Sequence, residues 1–130
     1  ALCAEFFLTL SQCSGDQQAR TSAMTWVEAM HSKVFKHGQS YSHWLQLAQK
    51  IQSGSREVVC VGPNAKDLAT SIASSAYVPN SLVLASSKDT GLPLTQYRDV
   101  KDQTLAYICF NNTCQLPTES TKTAIELWTN

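Results

Sequence analysis

A short apolar run, EVVCVG at residues 57–62, constrains the fold of this chain more than any other feature. The run is rich in β-branched residues, which is typical of a strand buried on both faces. A helical segment follows from Asn64, a good N-cap, and Asp67 adds a favourable charge to its first turn. A second apolar run, SLVLA, occupies residues 81–85. Strand, helix and strand within about 30 residues predict a right-handed βαβ unit.

The rest of the C-terminal part continues this alternation. Residues 86–103 contain Asp-Thr-Gly and a proline among few apolar residues, so we predict a loop there. The run TLAYIC at 104–109 is the third predicted strand, and Thr118 after Pro117 is the predicted N-cap of a closing amphipathic helix. We therefore predict an α/β fold over residues 55–130, with a small three-stranded, mainly parallel sheet and flanking helices.

The N-terminal part has helical periodicity. Apolar residues recur at helical spacing in segments at about 1–13, 17–35 and 40–52. Gly15 suits the C-terminal cap of the first helix, and Asp16 suits the N-cap of the second. The positions that we expect to face a core are Leu2, Phe6, Leu10 and Cys13 in the first helix, Ala19, Ala23, Trp26, Met30 and Val34 in the second, and Tyr41, Trp44, Leu45, Ala48 and Ile51 in the third.

A change of periodicity near SGSR, residues 53–56, marks the predicted boundary between the two parts. It divides the chain into an all-α segment, 1–54, and a small α/β domain, 55–130. The short connections between the helices predict that neighbouring helices pack as hairpins. Apolar stripes at helical spacing are usually core positions, so we assign no binding site to the helical segment.

The charge balance argues against two classes of partner. Ten basic residues balance ten acidic ones, and no run of lysine or arginine occurs. The chain therefore lacks the electrostatic attraction that draws proteins to nucleic acid or to an anionic membrane. No apolar stretch approaches the roughly 20 residues that span a bilayer. The apolar first ten residues contain Glu5 and no basic residue, so we interpret them as a cut inside a larger protein and not as a signal peptide.

Most catalytic and metal-binding signatures are missing from the sequence. His31, His37 and His43 recur every six residues, whereas neighbours on one helical face lie three or four apart. The chain has no HExxH, G-x-S-x-G or C-x-x-C motif. Glu5 and Glu28 have no recognisable partner for glycoside hydrolysis. We predict no catalytic residue, no metal and no cofactor.

A candidate ligand site lies at the carboxyl ends of the predicted parallel strands, where open α/β sheets bind small molecules. Its predicted lining residues are Gly62, Asn64 and Ser86. The turn after the first strand has a single glycine, and Pro63 removes a backbone donor, so the dinucleotide fingerprint is absent.

The five cysteines are too few and too irregularly spaced for a disulfide-dense secreted scaffold. Reduced thiols and a cytoplasmic location are therefore favoured. Cys60 lies within a predicted buried strand, where its thiol should stay protonated and inert. Cys109 and Cys114 flank a turn whose Asn111 and Asn112 tolerate left-handed geometry. A metal site would need two further ligands, so we predict two free or reversibly paired thiols that pack a corner of the fold.

Three stretches of the C-terminal part together resemble one protein family. They are REVVCVGP at 56–63, AYVPNSLVLA at 76–85 and AYICFNNTCQLPTES at 106–120. They resemble the C-terminal end of the DUF255, or YyaL-like, family of large thioredoxin-domain-containing proteins (spermatogenesis-associated protein 20-like). The positions of the family's closing pattern are occupied here by Ala106, Tyr107, Cys109, Asn111, Thr113, Cys114 and Pro117.

The resemblance implies that the chain is the C-terminal part of a longer protein. Members of the family carry a thioredoxin-like domain and an (α/α)6 barrel similar to six-hairpin glycosidases. The helical segment would then be the last helices of that α/α toroid, and the α/β domain would cap it in a non-catalytic, structural role. The implied partners are the rest of its own polypeptide, or a second copy bound through exposed helical faces.

Two enzymatic alternatives stay open on the same resemblance. The whole protein could be a sugar epimerase or hydrolase whose active site lies in other domains. It could also be a thiol–disulfide oxidoreductase in which Cys109 and Cys114, the family signature and the candidate redox pair, exchange with the thioredoxin-like domain.

Overall fold

The chain folds into two units, a helical one at the N-terminus and a mixed one at the C-terminus. A computed structural model of the chain describes residues 1–111 and 113–129, and the units divide between Ser53 and Gly54. Asn112 of the predicted turn lies outside the described residues. Within the described ranges no helix combines the length and the apolar character needed to cross a bilayer.

The N-terminal unit is helical throughout. Its elements are α1 (Leu2–Ser14), α2 (Gln17–Ala29), α3 (His31–Lys36), a 3-10 turn (Gly38–Tyr41) and α4 (Ser42–Ser53). The predicted caps are confirmed, because Gly15 has a φ of 73° and the Asp16 carboxylate accepts hydrogen bonds from the backbone amides of Gln18 and Ala19 at 2.8 and 3.1 Å.

The single helix predicted over 17–35 is wrong, because the chain breaks at Met30 between α2 and α3. The Met30 amide donates to the carbonyl oxygen of Val27 at 3.2 Å, a tighter turn than an α-helix makes. Neither glycine nor proline stands at this point, so the local sequence carries no signal for the break.

The core face predicted for the first helix is also wrong. Ala4 and Leu8 are buried, with Ala23 of α2 and Leu47 of α4, whereas Leu2, Phe6 and Leu10 are exposed. The helix is apolar on nearly every side, so its periodicity allows more than one stripe to face inward. Alanines on the facing surfaces of α1 and α2 let the two backbones pack closely, which selects the stripe with the smaller side chains.

The C-terminal unit has mixed α/β structure. Its elements are β1 (Arg56–Val61), α5 (Ala65–Ser75), β2 (Ser81–Ser86), β3 (Leu105–Phe110), β4 (Thr113–Cys114) and α6 (Thr121–Thr129). As predicted, β1 and β2 are parallel and are joined through a helix. β1 is the most deeply buried strand, because it is hydrogen-bonded on both sides and packed on both faces.

The predicted three-stranded, mainly parallel sheet is wrong. The described residues form a four-stranded mixed sheet in the order β2-β1-β3-β4, in which only β1 and β2 are parallel. A parallel β3 would require a crossover to the opposite end of the sheet. Instead, the connection after β2 returns to the end where β1 finishes, and the Asn64 amide donates to Thr104 Oγ1 at 3.0 Å there. β3 therefore starts at that end and runs antiparallel to β1.

The corner after β3 is a hairpin and not a direct passage from strand to helix. Phe110 pairs with Thr113, and Asn111 has the predicted left-handed geometry with a φ of 48°. Thr118 does not cap the last helix as predicted, because its backbone exchanges two hydrogen bonds with Ala106 of β3. Ser120 takes the capping role, since its hydroxyl oxygen accepts from the Thr123 amide at 3.3 Å.

The two faces of the sheet have different environments. Val58 and Cys60 of β1, with Ala106 and Ile108 of β3, pack in an apolar cluster with residues of α5 and α6. Residues on the other face of β1 and β3 alternate with these, because successive strand side chains point to opposite sides. That other face carries Glu57, Val59 and Val61 of β1, and Leu105, Tyr107 and Cys109 of β3.

Candidate functional site

The most distinctive group of side chains lies at the end of β3. Cys109 of β3 and Cys114 of β4 stand directly opposite each other and are joined by a disulfide, with their Cα atoms 3.9 Å apart. Cys109 is 2 % exposed, and Cys114 is partly exposed. The pair predicted from the sequence is thus brought together as a cross-strand bond, while Cys3 and Cys60 remain thiols.

A guanidinium group lies against both sulfur atoms of the disulfide. Arg98 Nη2 is 3.2 Å from Cys114 Sγ, and Arg98 Nη1 is 3.9 Å from Cys109 Sγ. The guanidinium also stacks on the Tyr107 ring at 5.0 Å, and the Tyr107 hydroxyl donates to the Arg98 carbonyl oxygen at 3.2 Å. Burial lowers the pKa of Arg98, while Tyr107 and Glu57 nearby oppose that change.

Arg98 lies in the connection between β2 and β3, and this connection is ordered by hydrogen bonds between its own residues. Asp89 organises this segment, because its carboxylate accepts from the amides of Gly91 at 2.7 Å and Tyr97 at 2.9 Å. The same two bonds, that from Gly91 foremost, lower the pKa of Asp89. Thr95 is buried beside them and bonds Thr90 hydroxyl to hydroxyl at 2.7 Å. The segment predicted as a loop therefore has internal hydrogen bonds that hold the backbone next to Arg98 in place.

A buried carboxylate lies on the strand next to Cys109, on the same face of the sheet as the disulfide. Glu57 of β1 is the register partner of Cys109 and is only 1 % exposed. Opposite residues on antiparallel strands point to the same face, with Cβ atoms about 5 Å apart. Glu57 Oε1 accepts from the Ser55 hydroxyl at 2.8 Å, whereas Oε2 has no hydrogen-bond partner among the described residues.

Taken together, these groups suit thiol–disulfide exchange. The reaction proceeds by attack of a thiolate on a disulfide sulfur and releases a second thiolate. A cation beside the released sulfur stabilises that thiolate, and a buried carboxyl group can exchange a proton with a buried thiol. The site therefore contains a sulfur pair, a cation and a proton-exchanging group.

The residues of the candidate ligand site lie close together, but the chain's own backbone fills part of the space between them. The Gly62 amide donates to the Ser86 carbonyl oxygen at 3.0 Å, and the Ser86 hydroxyl donates to the Lys88 carbonyl oxygen at 2.6 Å. A Cβ on Gly62 would meet the carbonyl oxygen of Gln103 and would lie 2.6 Å from Thr104 Cα. Asn64 borders a shallow cleft of about 590 Å³ that neither Gly62 nor Ser86 lines.

Other titratable groups show ordinary structural roles. Glu5 Oε2 lies 3.0 Å from His43 Nε2 within the helical unit, a local pairing. Among the described residues, no group of three or more histidine, cysteine, aspartate and glutamate side chains is arranged to hold a metal ion. Cys60 is buried as predicted, and burial raises the pKa of its thiol to about 11.

Sequence reasoning missed two members of the site. Glu57 was visible as the one charged residue at the start of a run that otherwise reads as a fully buried strand. A charge in such a strand is rarely tolerated without a purpose, because burying it is costly. Arg98 carries no comparable signal, since it lies in a polar loop and reaches the sulfur atoms only through the fold. A comparison of the chain with family models, curated proteins and solved structures finds no match.

Proposed function

We propose that the C-terminal unit performs thiol–disulfide exchange through Cys109 and Cys114. The observation that carries this proposal is the guanidinium of Arg98, 3.2 Å from Cys114 Sγ. A purely structural disulfide gains little from a neighbouring cation, because its sulfur atoms are uncharged. A thiolate gains a great deal, since an adjacent arginine lowers the pKa of a cysteine thiol.

Stabilising the reduced form also makes the disulfide easier to reduce. A bond whose thiolate is stabilised has a higher reduction potential than a structural bond, which lies below about −300 mV. The dithiol that reacts with it is the substrate. If the chain belongs to the DUF255 family, as its closing pattern suggests, the thioredoxin-like domain of the same polypeptide is the natural source of that dithiol.

A redox titration tests the proposal. The chain is equilibrated in glutathione buffers, its thiols are alkylated, and the state of Cys109 and Cys114 is determined by peptide mass. We expect half-reduction above about −260 mV, within the range of the cytosolic glutathione pool. A bond that stays oxidised throughout that range is structural and would overturn the proposal.

Replacing the cation sharpens the test. Arg98→Gln should lower the ratio of reduced to oxidised protein at least tenfold at a fixed potential, because a hydrogen bond to a charged group contributes about 1.5–3 kcal/mol. Arg20→Gln, an exposed residue of α2, is the matched control and should leave the titration unchanged.

A structural role is the second candidate, and a different observation favours it. Leu2 and Phe6 are 74 % and 61 % exposed along one side of α1, next to the partly exposed Leu10. Exposed apolar patches of this kind mark surfaces that contact other protein. In a DUF255-like protein these side chains would meet the preceding helices of the α/α barrel, which the C-terminal unit would then cap. Without those helices, self-association through α1 is the expected consequence.

A further inference from the structure

The two sulfur atoms of the disulfide occupy different environments, which sets the direction of attack. Cys114 is partly exposed and has the closer contact to Arg98, at 3.2 Å. Cys109 is 2 % exposed, and its contact to Arg98 is longer, at 3.9 Å. An incoming thiolate therefore reaches Cys114 Sγ, and Cys109 is the sulfur that leaves.

The leaving sulfur holds a negative charge less well than Cys114 does, because it is more deeply buried and farther from the Arg98 guanidinium. A buried thiolate is strongly disfavoured, because burial penalises the charged form of a cysteine. The burial that raises the pKa of Cys60 on the opposite face of the sheet is the same effect within this unit. Cys109 therefore needs a proton at the moment the bond breaks, and bulk water does not reach it.

We propose that Glu57 is a catalytic residue, the proton donor and acceptor for Cys109. This inference rests on the proposed exchange function. Glu57 is the register partner of Cys109, it is buried, and its Oε2 has no hydrogen-bond partner among the described residues. A buried carboxyl oxygen without a hydrogen-bond partner lowers the stability of the folded state. Proton exchange with the neighbouring sulfur is a function that would account for its presence.

The reaction balances with dithiothreitol as the dithiol. One thiolate of dithiothreitol attacks Cys114 Sγ, a mixed disulfide forms, and the bond to Cys109 breaks with its electron pair left on Cys109 Sγ. The carboxyl proton of Glu57 moves to that sulfur, and the resulting carboxylate regains a proton from solvent through the hydroxyl of partly exposed Ser55, which lies 2.8 Å from Oε1. The second thiol of dithiothreitol loses its proton to buffer, closes the oxidised ring and releases Cys114 as a thiolate beside Arg98. Dithiothreitol loses two electrons, and the protein disulfide gains them.

Several titratable groups of the same unit share this face with Glu57. They are Arg98 from the connection before β3, Tyr107 and Cys109 from β3, and Cys114 from β4, while the register partner in β2 is the apolar Leu82. The neighbouring Arg56 is occupied elsewhere, because its guanidinium donates to the carbonyl oxygen of Trp128 at 3.2 Å. Tyr107 and Arg98 change charge far above neutrality, so neither of them supplies the proton that Cys109 takes up.

The test measures the rate of disulfide reduction by dithiothreitol from pH 5.5 to 8.5 by quenched alkylation, with each rate divided by the fraction of dithiothreitol thiolate. Glu57→Gln keeps the shape and removes the exchangeable proton, so we expect a rate at least tenfold lower and a loss of the remaining pH dependence. The variant should fold, because it removes a buried carboxylate. Glu119→Gln, an exposed residue of the same unit, is the control and should react like the natural chain.

A second readout does not depend on rates. The infrared difference spectrum between the oxidised and reduced protein should contain a carboxyl C=O band that is absent from Glu57→Gln. If the natural chain is reduced by glutathione but Glu57→Gln reacts at the same rate and the spectra coincide, the role of Glu57 is wrong and the exchange function stands. If the natural chain is not reduced by glutathione, the exchange function itself fails and this inference falls with it.

Discussion

At the scale of single residues, two cysteines in neighbouring strands differ because they face opposite sides of one sheet. Cys60 points into the apolar cluster with α5 and α6, whereas Cys109 lies on the face that carries Glu57. Burial raises the pKa of Cys60 from 9.0 to about 11, so its thiol stays protonated near neutral pH. Cys109 is buried to a similar extent, but a disulfide, a guanidinium and a carboxyl group surround it.

The raised pKa of Cys60 predicts a loss of stability in alkaline solution. The folded state holds this proton more tightly than the unfolded state, so the contribution is fully present below pH 9.0 and is lost as the pH rises through about 11. In urea unfolding at pH 8 and pH 10.5, the natural chain should lose more stability than Cys60→Ala. Cys60→Ala should itself be about 1 kcal/mol less stable at pH 8 because of the missing sulfur.

Cys3→Ala is the control for this experiment, because Cys3 is exposed. It should show the same alkaline loss as the natural chain. Equal losses in Cys60→Ala and in the natural chain would contradict the prediction and assign the effect to other groups, such as Tyr107.

The residues that could be predicted are those with short-range causes. Gly15 and Asp16 act on amides and carbonyls within one helical turn, so their capping roles are readable in the sequence. The partners of Cys109 are not readable in this way. Glu57 reaches it through strand pairing, and Arg98 reaches the neighbouring sulfur from a loop 16 positions earlier in the chain.

At the scale of elements, the connection after β2 decides the direction of β3. The apolar runs identify the strands, but they do not show whether each strand pairs parallel or antiparallel to its neighbour. The turn after β1 passes close to the segment before β3 at Gly62. Its φ of 131° and its close approach to Gln103 and Thr104 leave no room for a side chain. This close approach keeps the connection between β2 and β3 at one end of the sheet. The position of Arg98 beside the disulfide depends on the path of that connection.

Replacing Gly62 should therefore destabilise the C-terminal unit. Gly62→Ala adds a Cβ that meets the Gln103 carbonyl oxygen and backbone atoms of Thr104, in a conformation that side chains rarely adopt. We expect a loss of more than about 2 kcal/mol in urea unfolding, since backbone strain and overpacking each cost about 1–3 kcal/mol.

Gly91→Ala separates these two costs. Gly91 also has a positive φ, of 75°, but a Cβ there would meet nothing within 4 Å. It should lose only about 1 kcal/mol, the cost of the conformation alone. If both variants lose the same amount, the close approach at Gly62 contributes nothing and the prediction is wrong.

At the scale of the whole molecule, balanced charge and an exposed apolar side of α1 act together. The net charge is zero, so electrostatic repulsion between copies is weak near neutral pH. Leu2 and Phe6 expose most of their apolar surface to solvent. Both features favour association, whether with other parts of a longer polypeptide or with a second copy.

Association through α1 is measurable by sedimentation velocity over a range of concentrations. The natural chain should form dimers and bind an apolar dye, and Leu2→Ser with Phe6→Ser should weaken association about tenfold or more, because about 1.5–3 kcal/mol is available from each apolar side chain. Leu116→Ser changes an exposed leucine elsewhere and should have no effect. A monomer at every concentration, without dye binding, would count against the structural role.

The sequence by itself determined the caps at Gly15 and Asp16, the strand–helix–strand order of β1, α5 and β2, the position of β3 and the burial of β1. Those properties depend on periodicity, caps and apolar runs, which are interactions among near neighbours in the chain. The tertiary structure decided that β3 runs antiparallel to β1, which face of α1 is buried, and that Arg98 and Glu57 lie beside the disulfide. Each of these depends on contacts between residues far apart in the sequence, where several arrangements satisfy the same local pattern and only packing selects one.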